Sequence, residues 1–217
     1  SLLSIQGTQE AWAGTAEGKL LRSQDGGETW ESVGSPCEGQ PVLSLVASPT
    51  YAQDHTLLMG TAVPATGSRE ARVALWRSTN GGEDWRQLTA QTTEARWLDI
   101  AVPEDDPEAI NHVVMVTDAY CLRPLLRAKD VWISTAVDPR GANALAVEAI
   151  GPVDGGGVLF VSTGNGIYRS QDGGRTWQHT SQGIDTASFV ALAATPPPDR
   201  RLLALSLGGV VYSLPLA

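Results

Sequence analysis

Long hydrophobic runs are missing from this 217-residue chain. No apolar stretch approaches the ~20 residues that cross a bilayer as a helix, so membrane insertion is not expected. Positive charge is scarce as well. Fifteen Lys and Arg stand against 24 Asp and Glu, a formal net charge of -9, and only Arg200 and Arg201 are adjacent. Nucleic acid demands a basic patch, so no nucleic-acid partner is expected. Cysteine is limited to Cys37 and Cys121, and histidine to His55, His112 and His179, none of them close in sequence. Zinc-ligand spacing is absent, and neither a metal nor a cofactor is expected. A Cys37–Cys121 disulfide and two free thiols both remain open. No leader-like segment is visible at Ser1, which leaves the compartment undecided. Phosphate cradles are lacking too: Gly164 to Gly166 and Asp154 to Gly157 read as hairpin turns, because no strand-to-helix context follows either.

What remains is an ordinary globular composition, 42% hydrophobic and 18% charged, with 23 Gly and 13 Pro to serve many short strands and tight turns. Within it one motif recurs. "RSQDGGETW" spans Arg22 to Trp30, "RSTNGGEDW" spans Arg77 to Trp85, and "RSQDGGRTW" spans Arg169 to Trp177. The closing tryptophans lie 55 and 92 residues apart, and Trp132 divides the longer gap into 47 and 45. The segment before it, "LLRAKDVW" from Leu125 to Trp132, reads as an eroded fourth copy with three turn residues deleted and Arg127 as its arginine. Two apolar runs separated by a small-residue turn precede each copy, and a further apolar stretch lies upstream. The same plan returns at Leu202 to Leu214 without a following copy.

The runs are short, alternating and rich in β-branched residues, so they read as strands. Four antiparallel strands per unit at this period are the mark of a β-propeller blade, too small to bury both faces alone. The expected fold is all-β: a single propeller domain over 1–217 with five blades of about 45 residues. The blades fall near 1–34, 42–90, 96–138, 143–182 and 187–217, and the last has three strands. The nine-residue copy sits between the third and fourth strands as a hairpin tip. Its Gly-Gly pair supplies positive φ, its Asp or Asn accepts backbone N–H groups, and its Trp opens the outer strand.

The boxes Ser23, Asp25, Gly27, Thr29, Trp30 and Ser170, Asp172, Gly174, Thr176, Trp177, with the variant Ser78, Asn80, Gly82, Trp85, resemble the Asp-box (BNR) repeat family of propellers. That family includes sialidases, sortilin-type receptor domains, xyloglucan-cleaving glycosidases and a photosystem II assembly factor. The resemblance implies that the boxes are structural turns on the outer part of the propeller, away from its channel. It also implies an extracytoplasmic setting. A calcium reading of "DGG" lacks ligands, because the three key positions are Asp25, Asn80 and Asp172 and calcium takes six to eight oxygens.

Aligning the first strands places Ser4, Ser44, Asp99, Ala146 and Ala191 at one channel position. Asp99 is the single charge among them, with Glu148 two residues beyond Ala146. These two are the candidate catalytic carboxylates, since glycoside hydrolysis uses a pair. A sialidase site is not supported. Arg22, Arg77, Arg127 and Arg169 belong to the repeat, and Tyr51, Tyr120, Tyr168 and Tyr212 have no identifiable Glu partner. The loop "VPEDDPE", Val102 to Glu108, reads as solvated, and Val63 to Arg72 as an insertion lengthening the second blade's hairpin. The expected function is non-enzymatic: a scaffold binding a protein or glycan. The alternative is a glycosidase-like hydrolase.

Overall fold

A computed structural model describes all residues except 64, 69, 93, 94, 104–111, 125–130, 139, 140, 142, 152–156, 182–187, 197 and 217. Alternating apolar residues fold into antiparallel meanders, and the fold is that of a five-bladed β-propeller. The chain divides into two compact units, Ser1–Val102 and Pro103–Ala217.

In the first unit, one sheet holds β1 (Leu2–Ser4), β2 (Ala11–Gly14), β3 (Leu20–Ser23) and β4 (Glu31–Val33). A second holds β5 (Val42–Ala47), then β6 (Leu57–Val63), β7 (Arg72–Ser78) and β8 (Arg86–Thr92). Between β5 and β6 lies one helical turn, α1 (Tyr51–Asp54), which the strand pattern does not announce. Local chemistry makes it. Asp54 accepts from the Ser48 and Thr50 hydroxyls and from the Thr56 N–H, and His55 closes the turn at φ 48°. The unit ends with β9 (Leu98–Ala101), the first strand of the third blade.

The second unit continues that blade with β10 (Val114–Thr117), β11 (Tyr120–Pro124) and β12 (Trp132–Ala136). The fourth sheet contains β13 (Ala144–Ile150), β14 (Val158–Thr163), β15 (Gly166–Ser170) and β16 (Gln178–His179). The last has three strands, β17 (Phe189–Ala194), β18 (Arg201–Ser206) and β19 (Val211–Pro215).

Apolar faces meet between sheets. In the first unit Trp12, Leu20, Val42, Leu45, Leu57 and Met59 form one buried cluster with Tyr51. In the second, Phe160, Ile167, Phe189, Leu202 and Ala204 form another. Backbone approach is close at the inner strands: a Cβ on Gly14 would overlap the Val42 side chain, and one on Gly60 the Leu98 side chain. Both cysteines are buried free thiols. Cys121 lies within β11.

Candidate functional site

The three boxes are hairpin tips joining β3 to β4, β7 to β8 and β15 to β16. Each is a closed hydrogen-bond circuit. In the first, Ser23 Oγ donates to Asp25 Oδ1 at 2.7 Å and accepts from Gly27 N at 2.8 Å. Thr29 donates to the same carboxylate through its N–H (2.9 Å) and its hydroxyl (2.5 Å), and Trp30 Nε1 reaches Gly27 O at 3.1 Å. The third box repeats this through Ser170, Asp172, Gly174 and Thr176, with Arg175 N added at 3.0 Å. Its Trp177 Nε1, however, is buried without a hydrogen-bond partner among the described residues.

The middle box keeps the circuit while moving the charge. Ser78 Oγ donates to Asn80 Oδ1 and accepts from Gly82 N, and Asp84 N donates to Asn80 Oδ1. Asn80 Nδ2 then donates to Asp84 Oδ2 at 3.0 Å, the reverse of the Thr29-to-Asp25 direction. Trp85 Nε1 donates to Gly82 O. The two departures from the pattern are therefore one complementary exchange. Hydrogen bonds to an ionised carboxylate favour its charged form. Those from Thr29 and Ser23 hold Asp25 down at about 2. At Asp172 burial pushes upward, and donors on Thr176, Ser170 and Arg175 outweigh it to reach about 2. Among the described residues no group of three or more His, Cys, Asp or Glu is placed to hold a metal ion.

The second box glycine also wedges between blades. A Cβ on Gly82 would stand 2.4 Å from Trp12 Cη2, and one on Gly174 2.7 Å from Cys121 Sγ. Gly27 meets nothing nearer than its own Trp30 at 3.7 Å.

Strand register corrects the eroded fourth copy. Arg22 pairs with Glu31, Arg77 with Arg86 and Arg169 with Gln178, each one residue past the box Trp. In the third blade Arg123 pairs with Ile133, one past Trp132. Arg123 is thus the repeat arginine, Pro124 stands where the others have Ser, and the copy is one residue longer rather than three shorter. Arg127 lies outside the described residues. The loop residues 104–108 and 154–156 also lie outside them.

Register also shifts the aligned channel position. Ser44 pairs with Gly60, Ala146 with Ser162 and Ala191 with Leu205, each three residues beyond the residue opposite Ser4's counterpart. Ser4 pairs with Ala11, so the equivalent residue of the first blade is Ser1, doubly bonded to Gly14. Pairing runs without a break from Ser44 to Ala47, from Ala146 to Ile150 and from Ala191 to Ala194, so the offset is set by the second strands and is invisible to an alignment of first strands alone. Ser44 and Asp99 are brought together: Ser44 Oγ donates to Asp99 Oδ1 at 2.9 Å, and Ile100 N donates to the same oxygen at 2.9 Å. Glu148 sits on β13 opposite Phe160, half-buried, in a small recess shared with Ala194, Thr195 and Arg200. Asp99 belongs to the first unit and Glu148 to the second.

Sequence reasoning missed Glu10. It precedes β2, and its Oε1 accepts from Trp12 Nε1 (2.9 Å), Arg22 Nε (3.0 Å) and Tyr51 OH (3.0 Å). Burial, then the Glu10 carboxylate, push the Tyr51 phenol up to about 12. Only one blade carries this carboxylate, so the repeat offered no signal for it.

No family model matches the chain, and no curated protein matches it either. Solved structures share its fold. YCF48 from Cyanidioschyzon merolae is 16% identical over 99% of this chain and 68% of its own, with a TM-score of 0.62. The GH74 xyloglucanase from Xanthomonas campestris is 16% identical over 98% of this chain and 35% of its own, at 0.66. The extracellular domain of a putative hybrid two component system from B. thetaiotaomicron is 15% identical over 98% and 26%, at 0.64. The chain thus spans about a third and a quarter of the length of the latter two.

Proposed function

We propose that the chain is a single Asp-box propeller domain acting as a non-enzymatic scaffold that binds a protein or glycan. The observation that carries this reading is the spending of its polar groups on structure. Box carboxylates and hydroxyls bond within their own turns, and Asp99 is occupied by Ser44 and Ile100 N, tying neighbouring inner strands. A fold shared at this identity with both YCF48 and a xyloglucanase does not select between binding and hydrolysis. The scaffold surfaces include the Val63 to Arg72 insertion, and an extracytoplasmic setting belongs to the same proposal. No described helix is long and apolar enough to cross a membrane.

Asp99 and Glu148 keep the glycosidase-like reading as the alternative. The test is a glycan array and a panel of chromogenic glycosides, with Asp99→Ala beside the wild type. The scaffold reading expects binding without turnover. Turnover that Asp99→Ala abolishes makes the protein a hydrolase.

A further inference from the structure

The chain holds two Asn–Gly steps, Asn80–Gly81 and Asn165–Gly166. Such a step is the one most prone to lose its side-chain amide, because glycine has no side chain to keep its own nitrogen from the asparagine Cγ. Both asparagines hold the same kind of partner. Asn80 Nδ2 donates to Asp84 Oδ2 at 3.0 Å, and Asn165 Nδ2 donates to Asp138 Oδ2 at 2.9 Å. Turning either amide into a carboxylate sets two acceptors of like charge face to face.

The surroundings differ. Asn80 and Asp84 are exposed, whereas Asn165 is half-buried and Asp138 is buried, its other oxygen accepting from Tyr168 OH at 2.8 Å. In the middle box Gly81 N donates to His55 O at 2.9 Å, and Asn80 Oδ1 accepts from Ser78 Oγ and Asp84 N. Attack by Gly81 N therefore waits until the hairpin opens and these bonds part. The other two boxes show what a carboxylate needs here: Asp25 and Asp172 each accept a hydroxyl proton, from Thr29 and from Thr176. The middle box has Asp84 at that place and no hydroxyl to offer. The same turn carries Gly82, which abuts Trp12 of the first blade and donates its buried N–H to Ser78 Oγ.

We propose that Asn80 is a deamidation site, and that its conversion loosens the seat of the middle box against the first blade. Gly81 N bonds to Asn80 Cγ and gives up its proton, the Cγ–Nδ2 bond breaks, and ammonia leaves. Water then opens the cyclic imide. Opening at Cγ yields aspartate, whose carboxylate opposes Asp84. Opening at the backbone carbonyl yields isoaspartate, whose extra backbone carbon upsets the spacing from Ser78 to Gly82. Neither product restores the full circuit, so the change runs one way. Mass and stability report it, so it stands apart from whether the propeller binds or hydrolyses.

The protein is held in mildly alkaline buffer, native and in guanidinium chloride, and the tryptic peptide from Ser78 to Arg86 is followed by mass spectrometry. Native conversion at Asn80 should be slower than in the unfolded chain by about tenfold or more, because it waits on opening, and faster than native conversion at Asn165. Asn80→Asp isolates the aspartate product. Its melting temperature should lie below that of the wild type at neutral pH, with the deficit shrinking as acid protonates one of the two carboxylates. Its Gly82 N–H should exchange with solvent faster than in the wild type. Adding Asp84→Thr rebuilds the arrangement of the other two boxes and should restore both readings. An Asn80 that stays an amide in the native protein after the unfolded chain has converted overturns the proposal, as do equal native and unfolded rates. So does a folded Asn80→Asp with wild-type stability and exchange, or one that Asp84→Thr does not rescue. Should Asn80→Asp fail to fold, a folded double variant supports the proposal and an unfolded one overturns it.

Discussion

Asp172 shows how a surface turn becomes a pH-sensitive part of the fold. Its folded carboxyl titrates at about 2, against an ordinary 3.8. A depressed value means that the ionised form is favoured by folding, so the contribution is present in full above roughly pH 4 and lost as pH falls through 2. Asp25 acts in the same direction. A melting series should therefore show a plateau above that window and a steep fall within it. Asp172→Asn, which copies the residue at Asn80, keeps the acceptor and removes the titration. Its melting temperature should fall less than the wild type's between pH 4 and 2, and equal slopes would remove Asp172 from the acid response. At the same turn, Ser170→Ala strips the acceptor from the buried Gly174 N–H. The cost should be about 1–3 kcal/mol in denaturant unfolding, since an unpaired buried donor carries its full desolvation penalty.

At the scale of strands and hairpins, the box glycines separate two requirements that sequence merges. Gly27, Gly82 and Gly174 all have positive φ, 95°, 83° and 82°, so Ala is strained at each. At Gly82 and Gly174 it also collides with the neighbouring blade, at Trp12 and Cys121. Gly82→Ala should destabilise more than Gly27→Ala by about 1–3 kcal/mol, the usual cost of overpacking. Cys121→Ala should recover part of the loss in Gly174→Ala, read as a double-mutant cycle. The hairpins themselves were legible because their chemistry is local: Ser23, Asp25 and Thr29 lie within one turn and bond one another. The blade count was legible for the same reason. What was hidden depends on pairing between distant segments. Pairing with the second strands puts Ser44 and its counterparts in line with Ser1 rather than Ser4, an added residue moved the repeat arginine of the third blade to Arg123, and Ser48 and Asp54 wound α1 from side-chain bonds with no periodic trace. Asp99 was legible as the single charge at its aligned first-strand position, but its bond to Ser44 follows from blade packing.

Across the whole molecule, the two thiols report on whether the chain unfolds as one body. Cys37 lies in the first compact unit and Cys121 in the second, both buried. Burial pushes the Cys37 thiol up and the Cys121 thiol up to about 12, so neither offers thiolate in the folded state. A thiol reagent should label neither residue in native buffer and both in guanidinium chloride, without added reductant. Labelling in dilute denaturant then measures opening residue by residue, because modification waits on local or global unfolding. If the propeller is one cooperative domain, mass spectrometry should find both cysteines modified with the same rate and the same denaturant dependence. Two rates with different dependences would make the compact units separate folding bodies and overturn the single-domain reading. Gly174→Ala sharpens the comparison. It strains the neighbourhood of Cys121 alone, so equal acceleration at Cys37 would show that strain in one unit is resisted by the stability of both.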